Sequence, residues 1–205
     1  MSMLFILDPV DKVVFTWINY DFSHPWLDPI MIFLSSKWTF IPAYVFILYL
    51  YFNRFGKRIW IPVLLTVAAF GLADSVSSRV LKPLTQRTRP VFEESMNAPI
   101  AEKPVRLPHE KPGSRYGFVS SHSANMFAVL GIATMLLGLT SGRSMVFYVV
   151  AVAVAYSRVY LGVHYPGDVV FGGLLGYTIA RLLYALAQNR GWLSERNTEA
   201  VVPLQ

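Results

Sequence analysis

Tyr156-Ser157-Arg158-Val159-Tyr160-Leu161-Gly162-Val163-His164-Tyr165-Pro166-Gly167-Asp168 closes one long apolar run and opens the next. It therefore sets an arginine, a histidine and an aspartate at one end of two helices. Pro166 suits the first turn of a helix, where its missing N–H costs nothing. Asp168 then falls in that turn, one helical turn after His164, within reach of the imidazole. A neutral imidazole steered by a carboxylate is a nucleophile or a base. The plainer reading has Arg158 and Asp168 complementing helix dipoles and His164 filling a loop.

The surrounding chain has 205 residues, of which 54% are hydrophobic and 15% charged, with net charge +6. Its mean hydropathy is +0.44. Such a length suits one domain, and the long uncharged runs belong in a membrane. With no cysteine, thiolate and disulfide chemistry are excluded. Excess positive charge on such a chain points to cytoplasmic flanks and anionic lipid rather than to nucleic acid. Met1 to Leu7 is apolar but lacks a basic leader and meets Asp8 at once, unlike a cleavable signal peptide.

The expected fold is all-α, a polytopic transmembrane bundle of five crossings, or six if residues 1–25 also cross. Residues 1–25 carry Phe5, Val10, Val13, Trp17 and Ile18 at helical spacing, broken by Asp8, Asp11 and Lys12. That pattern reads as an amphipathic helix in the interface, packing on the bundle being the alternative. Crossing one is expected from about Ile30 to Phe52, with Lys37 snorkelling or facing protein. The next four run over Ile59–Leu81, Ser120–Leu139, Met145–Arg158 and Pro166–Ala187. Residues 82–117 form a proline-rich polar segment, and 188–205 a polar tail.

Alternation sorts the connections into two sets. Arg54, Lys57, Arg58, Arg143, Arg190 and Arg196 fall on one side, which short basic loops assign to the cytoplasm. The N-terminal helix, residues 82–117 and the 159–165 loop then face the periplasm or exterior of a bacterial inner membrane.

On that outer side lie Lys82-Pro83-Leu84-Thr85-Gln86-Arg87-Thr88-Arg89-Pro90, Phe118-Val119-Ser120-Ser121-His122-Ser123, and the stretch from Ser157 to Asp168. Permanent cations beside two histidines suit an anion with several oxygens, and arginine's planar fork suits phosphate. Ser120 stands where an N-cap belongs, so the N–H groups of Ser121 and His122 open a helix whose dipole favours an anion. Taken singly, Ser120 is a plain cap, and Lys82 and Arg89 are snorkelling side chains. Asp74, about two turns below Lys82, is an intramembrane ionisable group. It is expected to support Arg89 or Arg158; a pair with Arg79 or bonds to nearby serines are the alternatives. His24 and His109 fit no motif and read as solvated.

These three clusters resemble the signature of the type 2 phosphatidic acid phosphatase superfamily, which includes vanadium haloperoxidases. Lys82 with Arg89-Pro90 matches its first motif, and Ser157-Arg158, His164 and Asp168 match its third. In the middle motif Ser120 and His122 match, while Val119 replaces proline and Ser121 replaces glycine. The resemblance implies catalytic roles for His164, His122 and Asp168. His164 would attack phosphorus, Asp168 would hold its tautomer, and His122 would protonate the leaving oxygen. Lys82, Arg89, Ser120, Ser121 and Arg158 would bind the phosphoryl oxygens. It implies no metal and no cofactor; Glu93, Glu94, Glu102 and Glu110 follow no ligand spacing. The expected partners are the bilayer and a phosphorylated lipid: undecaprenyl pyrophosphate, phosphatidylglycerol phosphate, phosphatidic acid or a lipid A phosphate. A lipid phosphotransferase and a non-catalytic lipid-binding or transport bundle are the competing readings. A soluble haloperoxidase has no use for the apolar runs.

Overall fold

The structure, a computed structural model, describes residues 3–97, 102, 105–107 and 113–193, with the side chains of residues 3–7 and 37 not described. The readings of His109, Glu110, Arg196 and the Lys37 side chain lie outside it. The chain is 78% helical with no strand among the described residues.

Helix α1 (Met3–Thr16) runs into a π-helical turn, Trp17–Asp21. Next come α2 (Asp28–Ser35), α3 (Ile41–Phe55) and α4 (Trp60–Ser75). A π-helical stretch, Val76–Leu81, carries α4 into α5 (Lys82–Thr85), giving one rod from Trp60 to Thr85. The last three helices are α6 (Ser121–Leu137), α7 (Ser141–Tyr160) and α8 (Pro166–Asn189).

Helix α6 is apolar all round, with Ala124, Ala128, Leu130, Ile132, Ala133 and Leu136 buried. A helix of that kind belongs at the centre, and α4, α7 and α8 surround it. The α6–α8 contact is backbone against backbone. A Cβ on Gly176 would lie 2.0 Å from the Ala124 carbonyl oxygen, and one on Gly172 2.6 Å from that of Ser120. Glycines one turn apart let two helices approach this closely. The Ser120 N–H also donates to the Asp168 carbonyl at 2.9 Å, and Ser123 Oγ to that of Val169 at 2.6 Å. The two helix N-termini are thereby locked together.

Among the described residues, three helices are long and apolar enough to cross a membrane: Trp60–Thr85, Ser141–Tyr160 and Pro166–Asn189. Their outward faces are apolar, with Leu64, Val67, Val149, Val152, Leu174 and Leu182 exposed. Helix α6 has 17 residues, a length of about 25 Å at 1.5 Å per residue.

The expected first crossing is not one rod. α2 and α3 are bent by 72° at a break between them. Pro42 has no N–H to continue a helix through Trp38, and Ser36 is extended at ψ 128°. The break puts the buried Ser35 hydroxyl against Arg158 of α7.

The N-terminal helix has two faces. Asp11, Phe15 and Asn19 are buried against the bundle, while Val10, Val13 and Trp17 point outward and are exposed. Packing on the bundle, the alternative reading, therefore holds for one face.

Candidate active site

The site lies at the end of the bundle where α5 stops and α6 and α8 begin. Pro83 cannot donate to the Arg79 carbonyl, and the π-helical stretch before it absorbs that loss. The rod thereby carries Lys82 past the expected end at Leu81. Gln86 in the left-handed conformation, φ 49°, then stops the helix. From there the chain pairs with residues 115–117: Arg89 N–H donates to the Arg115 carbonyl at 3.0 Å, and Gly117 N–H to that of Arg87 at 2.8 Å. Gly117 has no room for a side chain, since a Cβ there would lie 3.0 Å from both Arg89 Cγ and Asp168 Oδ2.

His164 and Asp168 meet as the spacing requires. The ring Nδ1 faces Asp168 Oδ2 at 3.3 Å, and the same oxygen accepts from the Tyr165 N–H at 3.0 Å. Asp168 thus caps its own helix while facing the imidazole. The other ring nitrogen, Nε2, faces Arg89 Nη1 at 3.5 Å. Arg89 is steadied by the carbonyls of Tyr116 (Nε, 3.3 Å) and Val163 (Nη1, 3.4 Å). His164 is 2% exposed. Burial, followed by the positive fields of Arg89, Arg158 and Lys82, pushes its pKa well below 6.5. The imidazole is therefore neutral near pH 7.

On the facing wall, Lys82 Nζ donates to Ser121 Oγ at 3.0 Å, and the Ser77 and Ser121 hydroxyls share a hydrogen bond at 2.9 Å. Ser120 caps α6, its hydroxyl accepting from the Ser123 N–H at 3.5 Å. Its N–H is bonded to α8, leaving the amides of Ser121 and His122 to open the helix. His122 is exposed and lies in the positive fields of Arg158, Lys82 and Arg89. The residues named as catalytic or phosphate-binding therefore gather at one end, across four helices and two loops. The arrangement can hold an anion between fixed cations against an imidazole whose far nitrogen is oriented by a carboxylate.

Asp74 has a partner the sequence reading did not name. Its Oδ1 accepts from Asn125 Nδ2 of α6 at 3.1 Å. Ser77 and Ser78 bond its backbone carbonyl rather than its carboxylate. His24 is exposed as expected, though its backbone N–H and carbonyl both bond the Tyr160 hydroxyl at 3.0 Å.

Arg87 was quoted with the first cluster but given no role. Its Nη1 donates to Asp168 Oδ1 at 2.9 Å, and its Nη2 to Asp11 Oδ2 at 2.8 Å and Asp8 Oδ1 at 3.0 Å. Asp8 and Asp11 at i, i+3 were the available signal, since α1 carries one cation, Lys12, for two carboxylates.

The sequence model of the PAP2 superfamily matches residues 62–192. The chain is 33% identical over 197 residues to a lipid A 4'-phosphatase of Bacteroides thetaiotaomicron, covering 91% of this chain and 84% of that one. It is 33% identical over 172 residues to an undecaprenyl-diphosphatase of Sulfolobus acidocaldarius, covering 82% and 74%. A crystal structure of a transmembrane PAP2-type phosphatidylglycerolphosphate phosphatase from Bacillus subtilis superimposes with TM-score 0.66. Its identity is 26%, over 90% of this chain and 87% of that one.

Proposed function

The chain belongs to the PAP2 superfamily, and from that premise we propose that it is a membrane lipid phosphatase working through a phosphohistidine. It removes a phosphate monoester or pyrophosphate from a lipid at the outer face of the inner membrane. The observation that carries this reading is the meeting of His164, Asp168, Arg89, Lys82 and Ser121 where helices end.

The proposed reaction takes its roles from the family resemblance, and the geometry of the site supports them. With Nδ1–H held by Asp168, the lone pair on His164 Nε2 attacks phosphorus as the P–O bond to the lipid breaks. His122 gives its proton to the departing lipid oxygen. It then takes a proton from the water that displaces phosphate from His164. Lys82, Arg89, Arg158, Ser121 and the first amides of α6 hold the three phosphoryl oxygens. Phosphoryl transfer asks mainly for positioned charge of this kind.

In this reading the bundle makes five crossings. α2 with α3 forms the first, the Trp60–Thr85 rod the second, and α6 a short third inside the protein. The site then shares the outer face with the 82–117 segment, and lipid tails stay in the bilayer beside it. The Bacteroides relative makes lipid A 4'-phosphate the first substrate to test.

The experiment is phosphate release by the detergent-solubilised protein, with a chelator present. The panel comprises lipid A, phosphatidylglycerol phosphate, undecaprenyl pyrophosphate and phosphatidic acid. Release from at least one lipid, inhibited by vanadate and lost in His164→Ala, is expected. No release from any of them, or full activity in His164→Ala, would refute the proposal.

A further inference from the structure

Two arginines of the first cluster lie two residues apart, and the structure gives them different work. Arg89 reaches His164 Nε2, where the phosphate belongs. Both terminal nitrogens of Arg87 are spent on carboxylates. Arg87 therefore stands between Asp168 and helix α1. Its guanidinium lies over the Tyr165 ring, 4.5 Å from the centroid. Phe15 of α1 packs edge-on against that ring at 5.5 Å. Asp11 also uses its Oδ1 to accept from the Gly167 N–H at 2.8 Å. Helix α1 thus holds both the arginine and the first turn of the helix that carries Asp168.

We propose that Arg87, clamped by Asp8 and Asp11 of α1, is a positioning residue that fixes the Asp168 carboxylate and through it the tautomer of His164. This rests on the phosphohistidine reading and brings the N-terminal helix into the catalytic apparatus.

The link from Arg87 to Asp168 is electrostatic. Asp168 is fully buried, and a buried carboxylate stays ionised only with a compensating charge. The neutral His164 ring supplies an N–H but no charge. Arg87 supplies the charge, and its side chain is itself only 7% exposed. Nearby, Lys12 offsets Asp8 and Glu93, at 3.3 Å from each. Without Arg87, Asp168 would take up a proton and become a donor. The imidazole would then accept at Nδ1 and carry its own proton on Nε2, which removes the attacking lone pair.

The test uses the purified full-length protein as Arg87→Gln, Arg87→Lys, Asp11→Asn and the Arg87→Gln/Asp11→Asn pair. Two quantities are read: kcat and KM on a lipid the wild type hydrolyses, and the His164 tautomer by 15N-histidine NMR at neutral pH. Arg87→Gln is expected to lower kcat about 10- to 100-fold, as loss of a group orienting a functional imidazole does. KM should change by less than about two-fold, because the phosphate clamp is untouched. The His164 proton should shift from Nδ1 to Nε2. Arg87→Lys should recover part of the loss, and adding Asp11→Asn to Arg87→Gln should cost nothing further. A folded Arg87→Gln that keeps its kcat and its Nδ1–H tautomer overturns the proposal. Should that variant fail to fold, Asp11→Asn decides, and wild-type kcat there overturns it equally. The NMR reading needs no turnover, so a wild type inactive on every lipid sinks the phosphatase assignment without deciding this one.

Discussion

His164 gathers the chemistry because its neighbours on either side want different things of it. Asp168 holds Nδ1, while cations crowd Nε2 and oppose protonation. Because its folded pKa lies well below 6.5, the ring nitrogens should keep neutral-imidazole shifts in NMR at pH 6. A midpoint at or above 6.5 would contradict this. Below its ordinary pKa the unfolded chain binds a proton that folded His164 refuses, so His164 lowers stability as pH falls below 6.5. At the opposite wall, Lys82→Ala should lower kcat on the order of 10²-fold, the usual worth of one donor in such a clamp. Ser121→Ala should cost less, since it leaves Lys82 in place. These residues were legible because they sit in spaced motifs. Arg87 was not, since no motif spacing marks it as one marks Arg89. Only the carboxylates of α1 do.

Among elements, the α6–α8 contact positions the site. It places His122 on one helix end and Asp168 on the other. Gly176→Ala would drive a Cβ into the Ala124 carbonyl. It should lower stability by about 1–3 kcal/mol, the usual cost of overpacking, read as a lower melting temperature in detergent. Activity should fall with it as the two ends separate. Asp74 works at the same scale, tying α4 to α6 through Asn125. Asp74→Ala strands the Asn125 amide and should cost about 1–3 kcal/mol in the same melt. Equal stability would show the bond to be idle. The sequence marks Asp74 as an expensive intramembrane charge but not its partner, which lies 51 positions away.

The whole molecule has two chemically distinct ends. At one, Arg54 lies against the α6–α7 turn, 3.2 Å from where a Gly138 Cβ would be. At the other sit the site, α1 and the 113–120 segment. Gly113 and Gly142 have open space where a side chain would go, and the chain has no cysteine. In intact cells, a cysteine at 113 should react with a membrane-impermeant thiol reagent, and one at 142 only after permeabilisation. The reverse pattern would invert the topology. Helix counting by hydropathy serves this molecule less well. Ser121–Leu137 is short and enclosed by other helices, and the α2–α3 break lies beside the contact of Ser35 with Arg158.

Apolar periodicity was enough to specify a helical membrane bundle, and the family's motifs to name the residues that the fold brings to one of its ends. Both are local properties, repeated within a few turns of one chain. The separate duties of Arg87 and Arg89, the tie from Asp74 to Asn125, the bend before α3 and the docking of α1 came only with tertiary structure. Each depends on which side chains packing brings together across distant segments, and no spacing along the chain encodes that.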